Sequence, residues 1–522
     1  MERPSVRSQT LDPRKLEPRT LSLVLIALIA LWRLLMAWLV PVTQDEAYYF
    51  DWARSLAWGY FDHPPGVALL GIGTRIDPGS ALAARLGGVL AGTLTLVVLA
   101  RLYRNSGLAH GPDLWLALLL LAGTLPGLVG GFLTTPDTVL ALAWALALHE
   151  SERALAGERR RWLTAGLAVG LGLLGKYSMA VMGPVLLWAI LWADPRALRT
   201  PWPYLGGLLA LLVFTPNLVW NAQNDWLSLR FQLGHGFARD SGPLAQGAVA
   251  AGAATIDHAG PEGLAEGLES LLVFLGTQLG LWGLMALPIL AAPWLARRTQ
   301  GTPGVSALTP PARALLHSGT WFPLGFFALV SLGSDVEANW PLMYLLAAPP
   351  LLVLPWRRIR PWIVALALGN LVLVSLYGLH AATAAFPLPE GQNRILRETH
   401  GFRELAELAA GLDGPVYADR YQDTAMLRFY APGIQATQWP GLTRPSEYLR
   451  GRIAPQVGPD AIQGPFWLIT RGRSAPELTG LGIHARRTLV DCPGKELVET
   501  DELPCAKPLH VWSLYRYLRD AP

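Results

Sequence analysis

Apolar residues in this chain fall in long, nearly unbroken runs. The first, Leu21 to Val40, is long enough to cross a bilayer core as a helix, which takes about 20 residues. Others follow at Ala81 to Tyr103, Leu114 to Val129, Thr135 to His149, Trp162 to Gly175, Met179 to Trp192, Tyr204 to Trp220, Leu271 to Trp294, Gly319 to Leu332, Trp340 to Pro355 and Trp362 to His380. With the first run they predict a mainly α, polytopic membrane protein with a bundle of about 11 transmembrane helices. The short pair flanking Gly175 reads as broken or tilted helices inside a protein-lined interior. In the first polar stretch, "DEAYYFDWARSLAWGYFDHPP", Tyr48, Trp52 and Leu56 recur at every fourth position. That spacing predicts a short helix with one apolar face lying along the membrane interface. Pro64 and Pro65 then stop any helix and hold Asp62 and His63 in a turn. Gln223 to Glu269 contains a Gly/Ala-rich run too polar to span, which predicts a mobile external loop, plausible as a lid. After Glu390 the pattern becomes that of a soluble domain, with a helix in "GFRELAELAAGL" and strands in "PVYADRY", "PFWLITRG" and "VWSLYRYL". The expected organisation is a cytoplasmic tail over 1–20, a transmembrane domain over 21–385 and a small external α/β domain over 390–522.

Composition agrees. Of 522 residues, 52% are hydrophobic and 15% charged, against about a quarter charged in soluble domains. The net charge of +4 is spread over several short loops, which argues against nucleic acid as cargo and makes the cations reporters of orientation. Arg101 and Arg104, Arg159 to Arg161, Arg196 and Arg199, Arg297, Arg298 and Arg313, and Arg357, Arg358 and Arg360 all fall on the side of the N-terminus. By the positive-inside rule that side is cytoplasmic, and an odd number of crossings puts the C-terminus outside. The expected location is the bacterial inner membrane, with the C-terminal domain periplasmic or extracellular. Met1 to Thr20 is polar and no small-residue cleavage site follows the first helix, which is therefore expected to remain as an anchor. The two cysteines, Cys492 and Cys505, can pair only if that end meets an oxidising compartment.

The opposite loops are acidic and aromatic. Asp45 and Glu46 follow the first helix closely, near a membrane surface where a charge is costly unless it has a partner or a task. Asp137 in "TTPDT" opens a helix, where a carboxylate either caps the helix or belongs to a site. Lys176 in "LLGKYS" lies between two short helices, as a snorkelling lysine or a phosphate ligand, with Tyr177 beside it. "GLGLLGKY" matches part of a phosphate-binding loop by chance, since Tyr177 stands where Ser or Thr is needed and no strand precedes it. Arg33, inside the first helix, either meets a lipid phosphate or pairs internally, the latter being preferred. Asn339 with Pro341 can cap a helix start, and Asn217, Trp220 and Asn221 read as structural. His235 and His258 read as solvated loop residues.

The pattern of DE, Tyr/Phe and Trp leading to "GYFDHPPG", then "TTPDTVLALAWALAL", "GLGLLGKYSMAVMGP", "EANWPLMYLLAAPP" and, in the tail, "GFRELAEL" and "ADRYQDTAMLRFYAPG", resembles the bacterial lipid-phosphate-sugar glycosyltransferases related to protein O-mannosyltransferases and the aminoarabinose transferase. The resemblance covers nearly the whole chain. It implies a GT-C-type fold and an inverting enzyme that moves a monosaccharide from a polyprenyl (undecaprenyl) phosphate carrier to a hydroxyl or phosphate of an envelope lipid, glycan or protein. It also implies that Asp45 is the catalytic base, with Glu46 supporting it and Asp137 as a further catalytic acid. Lys176, Tyr177 and His63 then face the donor phosphate, and Tyr48, Glu337 and Asn339 the acceptor or pocket. His63 stands where the aminoarabinose transferase has lysine, and a histidine is mostly neutral near pH 7. Asp62 and His63 are thereby candidates to hold a divalent metal cation. The competing class is a secondary transporter or flippase, which would place charges near the midplane in two related halves. The carboxylates here gather at helix ends and no half-to-half repeat is visible, which favours the enzyme.

Overall fold

The computed structural model describes residues 18–109, 112–237, 263–291, 308–334, 336–389, 392–454, 462 and 464–519. Helix α1 (Pro18–Leu39) is followed by a short α2 (Gln44–Trp52), α3 (Gly66–Leu70) and a long α4 (Ala81–Asn105). The run expected at 114–129 is broken into α5 (Asp113–Ala122) and α6 (Leu125–Val129), because Gly123, Thr124 and Pro126 interrupt it and Thr124 caps the second piece. Then come α7 (Pro136–Leu155), α8 (Arg161–Leu173), α9 (Met182–Ala193), α10 (Trp202–Gln223) and α11 (Leu227–Phe237). Beyond these lie α12 (Leu264–Gly280), α13 (Pro310–Ser331), α14 (Pro349–Trp356) and α15 (Arg360–Thr383). Every expected apolar run contains helix. By length and composition, however, five of the described helices can cross a membrane, or six if α12 and the segment bent from it by 109° make one span. Of the others, α7 is 20 residues long but carries Asp137, Glu150, Glu152 and Arg153, and the rest are shorter or broken. The protein is a multi-pass membrane protein.

Leucine, alanine and tryptophan side chains from α4, α5, α7, α8, α9 and α13 share one apolar core. Polar cross-links tie the bundle at the ends bearing the arginine clusters. There Arg357 is forked onto the fully buried Asp113, and Arg159 pairs with Asp194.

The C-terminal region forms a six-stranded sheet of β1 (Val416–Ala418), β2 (Thr437–Gln438), β3 (Phe466–Arg471), β4 (Leu481–Asp491), β5 (Val498–Glu499) and β6 (His510–Arg519). Its order is β2-β1-β3-β6-β4-β5, parallel from β2 to β3 and antiparallel beyond. Helix α16 (Arg394–Thr399) packs Ile395 against the end of α1 and offers the Arg397 carbonyl to His510, while α17 (Phe402–Ala410) and α18 (Tyr421–Tyr430) pack against the sheet. A disulfide joins Cys492 to Cys505.

One expectation is corrected here. The apolar face of α2 meets the C-terminal domain instead of the membrane interface. Tyr48 and Trp52 are 1% and 0% exposed, and Tyr48 packs at 4.7 Å from Tyr421 and 5.4 Å from Tyr448. Trp52 stacks on Tyr60 at 4.3 Å. Leu56 lies beyond the helix end and is exposed. The same buried cluster joins Val42, Tyr48, Phe50 and Trp52 to Phe402, Met426 and Trp512. Of the expected external loop, residues 227–237 are the helix α11, and the Gly/Ala-rich run with His258 lies outside the described residues, as does the side chain of His235.

Candidate active site

Asp45 and Glu46 stand in the first turn of α2, where Thr43 and Glu46 form a reciprocal capping box and carboxylates favour the helix dipole. The two acids then part ways. Glu46 is 1% exposed, and its oxygens accept Arg85 Nε at 2.8 Å, Arg85 Nη2 at 2.6 Å and the Thr134 N–H at 2.9 Å. With these bonds and the Thr43 cap, Glu46 has no lone pair to offer Asp45, so its expected supporting role is replaced by that of an anchor between α2 and α4. Asp45 is open to solvent yet crowded by protein. Tyr421 donates to its Oδ1 at 3.3 Å. Poor hydration, followed by the charges of Glu398 and Asp62, pushes its carboxyl up to about 6, with Arg444 and Tyr421 pulling it back.

Asp137 occupies the first turn of α7, which Pro136 opens and Thr135 and Thr138 close with a 3.3 Å bond. Asp137 Oδ1 accepts Lys176 Nζ at 2.7 Å and Oδ2 accepts Asn339 Nδ2 at 2.8 Å. A helix start, a turn after α8 and the 336–341 turn thus meet on one carboxylate. Asn339 uses its amide on Asp137 and not to cap the following turn. Glu337 is exposed at the surface.

The His63 turn is laid on the Lys176 turn by a close backbone approach. Gly66 N–H donates to Leu174 O at 2.7 Å, and a Cβ on Gly66 would fall 2.8 Å from the Cα of Gly175. The glycines at both positions are therefore a steric requirement. His63 feels Asp62, Lys176 and Asp137 electrostatically, but burial dominates and lowers its imidazole to about 4, so it is neutral at pH 7. Its ring lies 5.8 Å from that of Tyr49, and the charge of Asp45 bears on Tyr49 in turn. A chain of neighbouring groups thus leads from Asp45 through Tyr49 to His63, whose imidazole feels the charges of Lys176 and Asp137.

Other expected ligands are committed elsewhere. Tyr177 Oη bonds Asn217 at 3.1 Å, Ser228 at 2.9 Å and Asn221 at 3.2 Å, a network that fastens α10 and α11 to the Lys176 turn. Its hydroxyl is filled, so a donor-phosphate role is not supported, whereas the structural reading of Asn217 and Asn221 is. Tyr48 accepts the Glu447 N–H at 2.8 Å and belongs to the interdomain core, which removes it from the acceptor pocket. Asp62 Oδ1 is paired with Arg444 at 2.8 Å. Among the described residues no three His, Cys, Asp or Glu side chains gather closely enough for a metal ion, so the candidate pair Asp62 and His63 lacks a ligand set there.

Two site residues escaped the sequence reading, Tyr421 and Arg444, both from the C-terminal domain. Arg444 caps the Tyr421 ring at 4.3 Å while holding Asp62. Tyr421 stands in "ADRYQDTAMLRFYAPG", which signals a domain, and Arg444 lies beyond it, but nothing in one chain's spacing points either at Asp45 or Asp62.

Residues 62–220 match the family model of dolichyl-phosphate-mannose-protein mannosyltransferases. The lipid A galacturonosyltransferase RgtD of Rhizobium johnstonii is 27% identical over 226 residues, 41% of this chain and 46% of that protein. The chain thus spans about half the length of this curated relative in the match. The crystal structure of ArnT from Cupriavidus metallidurans bound to undecaprenyl phosphate superposes with a TM-score of 0.61 at 16% identity, covering 94% of this chain and 97% of that one. Its apo form gives 0.60. The fold is accordingly that of the GT-C-type membrane glycosyltransferases, as the sequence resemblance implied. The family model and the curated relative that match part of the chain are both glycosyltransferases by name.

Proposed function

We propose that this protein is an inverting glycosyltransferase that moves a monosaccharide from a polyprenyl phosphate to an acceptor of the cell envelope at the outer face of the membrane. The observation that carries the reading is the Lys176–Asp137–Asn339 junction, set beside the neutral His63 turn, to which Asp45 is linked through Tyr49. In this scheme the acceptor hydroxyl attacks the anomeric carbon from the side opposite the phosphate. Asp45 takes the hydroxyl proton as the new C–O bond forms. The bond from the anomeric carbon to the phosphate oxygen breaks, and both its electrons leave with polyprenyl phosphate. Lys176, aimed by Asp137, offsets the charge on the departing phosphate. Tyr421 orients Asp45, and its raised carboxyl makes it a stronger base than an ordinary aspartate.

The names of the similar proteins support undecaprenyl phosphate as carrier, and lipid A is the acceptor to try first. For orientation we infer a cytoplasmic N-terminus, with the site, the disulfide and the sheet outside. The arginine clusters at the far end and the oxidised Cys492–Cys505 pair support this. Radiolabelled polyprenyl-phosphate sugars supplied to membranes test the reading. Wild type should transfer label to extractable lipid or glycan, and Asp45→Asn should bind the donor yet transfer about 10²–10⁴-fold more slowly. Unchanged transfer by Asp45→Asn would remove the base role.

A further inference from the structure

Arg33 lies in α1, six residues or about 9 Å before the outer end of a membrane-spanning helix. It is 3% exposed. Of the five N–H groups on a guanidinium, those on Nη2 reach the carbonyl of Gly127 at 2.6 Å. Nε and Nη1 are buried with no hydrogen-bond partner. Among the described residues no carboxylate pairs with it, and the acid that lines the same cavity, Asp137, already spends both oxygens on Lys176 and Asn339. A cation left unpaired inside a membrane protein is costly and marks a functional position.

The surroundings are built around this group. A Cβ at Gly131 would lie 2.3 Å from Nε, and one at Gly92 would lie 3.1 Å from Nη1. Glycine at both positions leaves the guanidinium its bed. It borders a cavity of about 90 Å³ whose wall includes Thr95, Gly130, Thr135 and Asp137 and is otherwise largely leucine and proline. Within apolar walls a charge acts strongly on an oppositely charged ligand. Bracing the α5–α6 break through Gly127 needs one neutral donor, which a glutamine supplies. It leaves the charge and the other N–H groups unexplained.

We propose that Arg33 forms an anion-binding subsite in the cavity it shares with Asp137, taking an oxyanion carried by the substrate. The subsite rests on the transferase reading above and extends it from the reacting bond to the group that identifies the substrate. A planar guanidinium matches either a carboxylate or a phosphate. The oxyanion is thus the carboxylate of an acidic sugar or the phosphate of the lipid carrier.

Equilibrium binding to the full chain in nanodiscs separates these sources. One pair of probes is a short-chain polyprenyl phosphate and its polyprenol; the other is glucuronate and glucose. Wild type should prefer the anion in at least one pair, and Arg33→Gln, which keeps a donor for Gly127, should lose about tenfold of that preference. Arg33→Lys should restore part of it. Loss in the first pair assigns the subsite to the carrier phosphate, and loss in the second to a sugar carboxylate. Retention of the wild-type preference by Arg33→Gln in both pairs overturns the proposal, as does a wild type with no anion preference at all. If Arg33→Gln fails to fold, Gly131→Ala displaces the guanidinium while keeping its charge, and an unaltered preference there overturns the proposal equally. A wild type that binds neither polyprenyl phosphate nor polyprenol sinks the transferase reading itself. One that prefers polyprenyl phosphate, with Arg33→Gln unchanged in both pairs, sinks the Arg33 subsite alone.

Discussion

Asp45 and Glu46 are neighbours in sequence with opposite fates, and the difference is made by what faces each carboxylate. Asp45 is poorly hydrated and feels the charges of Glu398 and Asp62, which outweigh Arg444 and the Tyr421 hydroxyl, so its proton leaves only near pH 6. Transfer should then fall as pH drops through about 6, toward tenfold per pH unit, because protonated Asp45 cannot accept the acceptor's proton. Stability moves the other way. A carboxyl raised in the folded state contributes stability that is complete below its unfolded value, about 3.9, and lost as pH rises through about 6. Thermal melts should therefore gain less between pH 7 and pH 5 for Asp45→Asn than for wild type, and an equal gain would count against the shift. Glu46 is instead half of a buried ion pair with Arg85, whose remaining N–H groups reach the carbonyls of Ala37, Val40 and Pro41. Glu46→Ala leaves that guanidinium uncompensated and should cost about 3–5 kcal/mol. Adding Arg85→Met should recover much of the loss in the same denaturation measurement.

Helix α2 shows what a single chain's pattern reveals and what it withholds. Its apolar face was legible from Tyr48 and Trp52, one turn apart, but an apolar face does not say which apolar surface covers it. The covering rings, Tyr421 and Tyr448, stand nearly 400 residues away, and only the three-dimensional packing brings them in. For the same reason Asp137, Lys176 and Asn339 could each be singled out at an outer helix end, while their shared bond pattern could not be read. In the sheet, β1, β3 and β6 were readable as apolar runs. The longest strand, β4, was not, because its first half mixes Leu481, Ile483 and Ala485 with His484, Arg486 and Arg487, is nowhere fully buried, and carries a bulge at Ile483/Ala485. The docking of α2 on the sheet domain is held further by Asp51, which receives Arg428 Nε at 2.5 Å from α18. Asp51→Ala removes that tie, and limited proteolysis should cut faster in the exposed connection after α15. Helix content by circular dichroism should stay constant. Cleavage at the wild-type rate would mean that the aromatic contacts alone hold the domains together.

At the level of the whole molecule, the bundle sorts its charges by end. Helices α7 and α8 are antiparallel neighbours, and α7 starts at Asp137 while α8 ends beside Lys176. The loop between them, at the far end, carries Arg159 and Arg160, and Arg161 opens α8. Aligned this way, a phosphate-linked lipid can place its charged end among Asp137, Lys176 and Arg33 while its chain stays in the bilayer, and the sheet domain brings Tyr421 over the same end. The arrangement demands that the site open on the side opposite the arginines, and the sequence offers a clean way to ask. Its two cysteines are tied to each other, so a single added thiol reports alone. Glu337→Cys, on the exposed turn next to Asn339, should react with a membrane-impermeant maleimide in intact spheroplasts. Glu158→Cys, in the exposed α7–α8 loop, should react only after the membrane is opened. The reverse labelling would put the carboxylates in the cytosol, where an acceptor of the outer envelope never meets them.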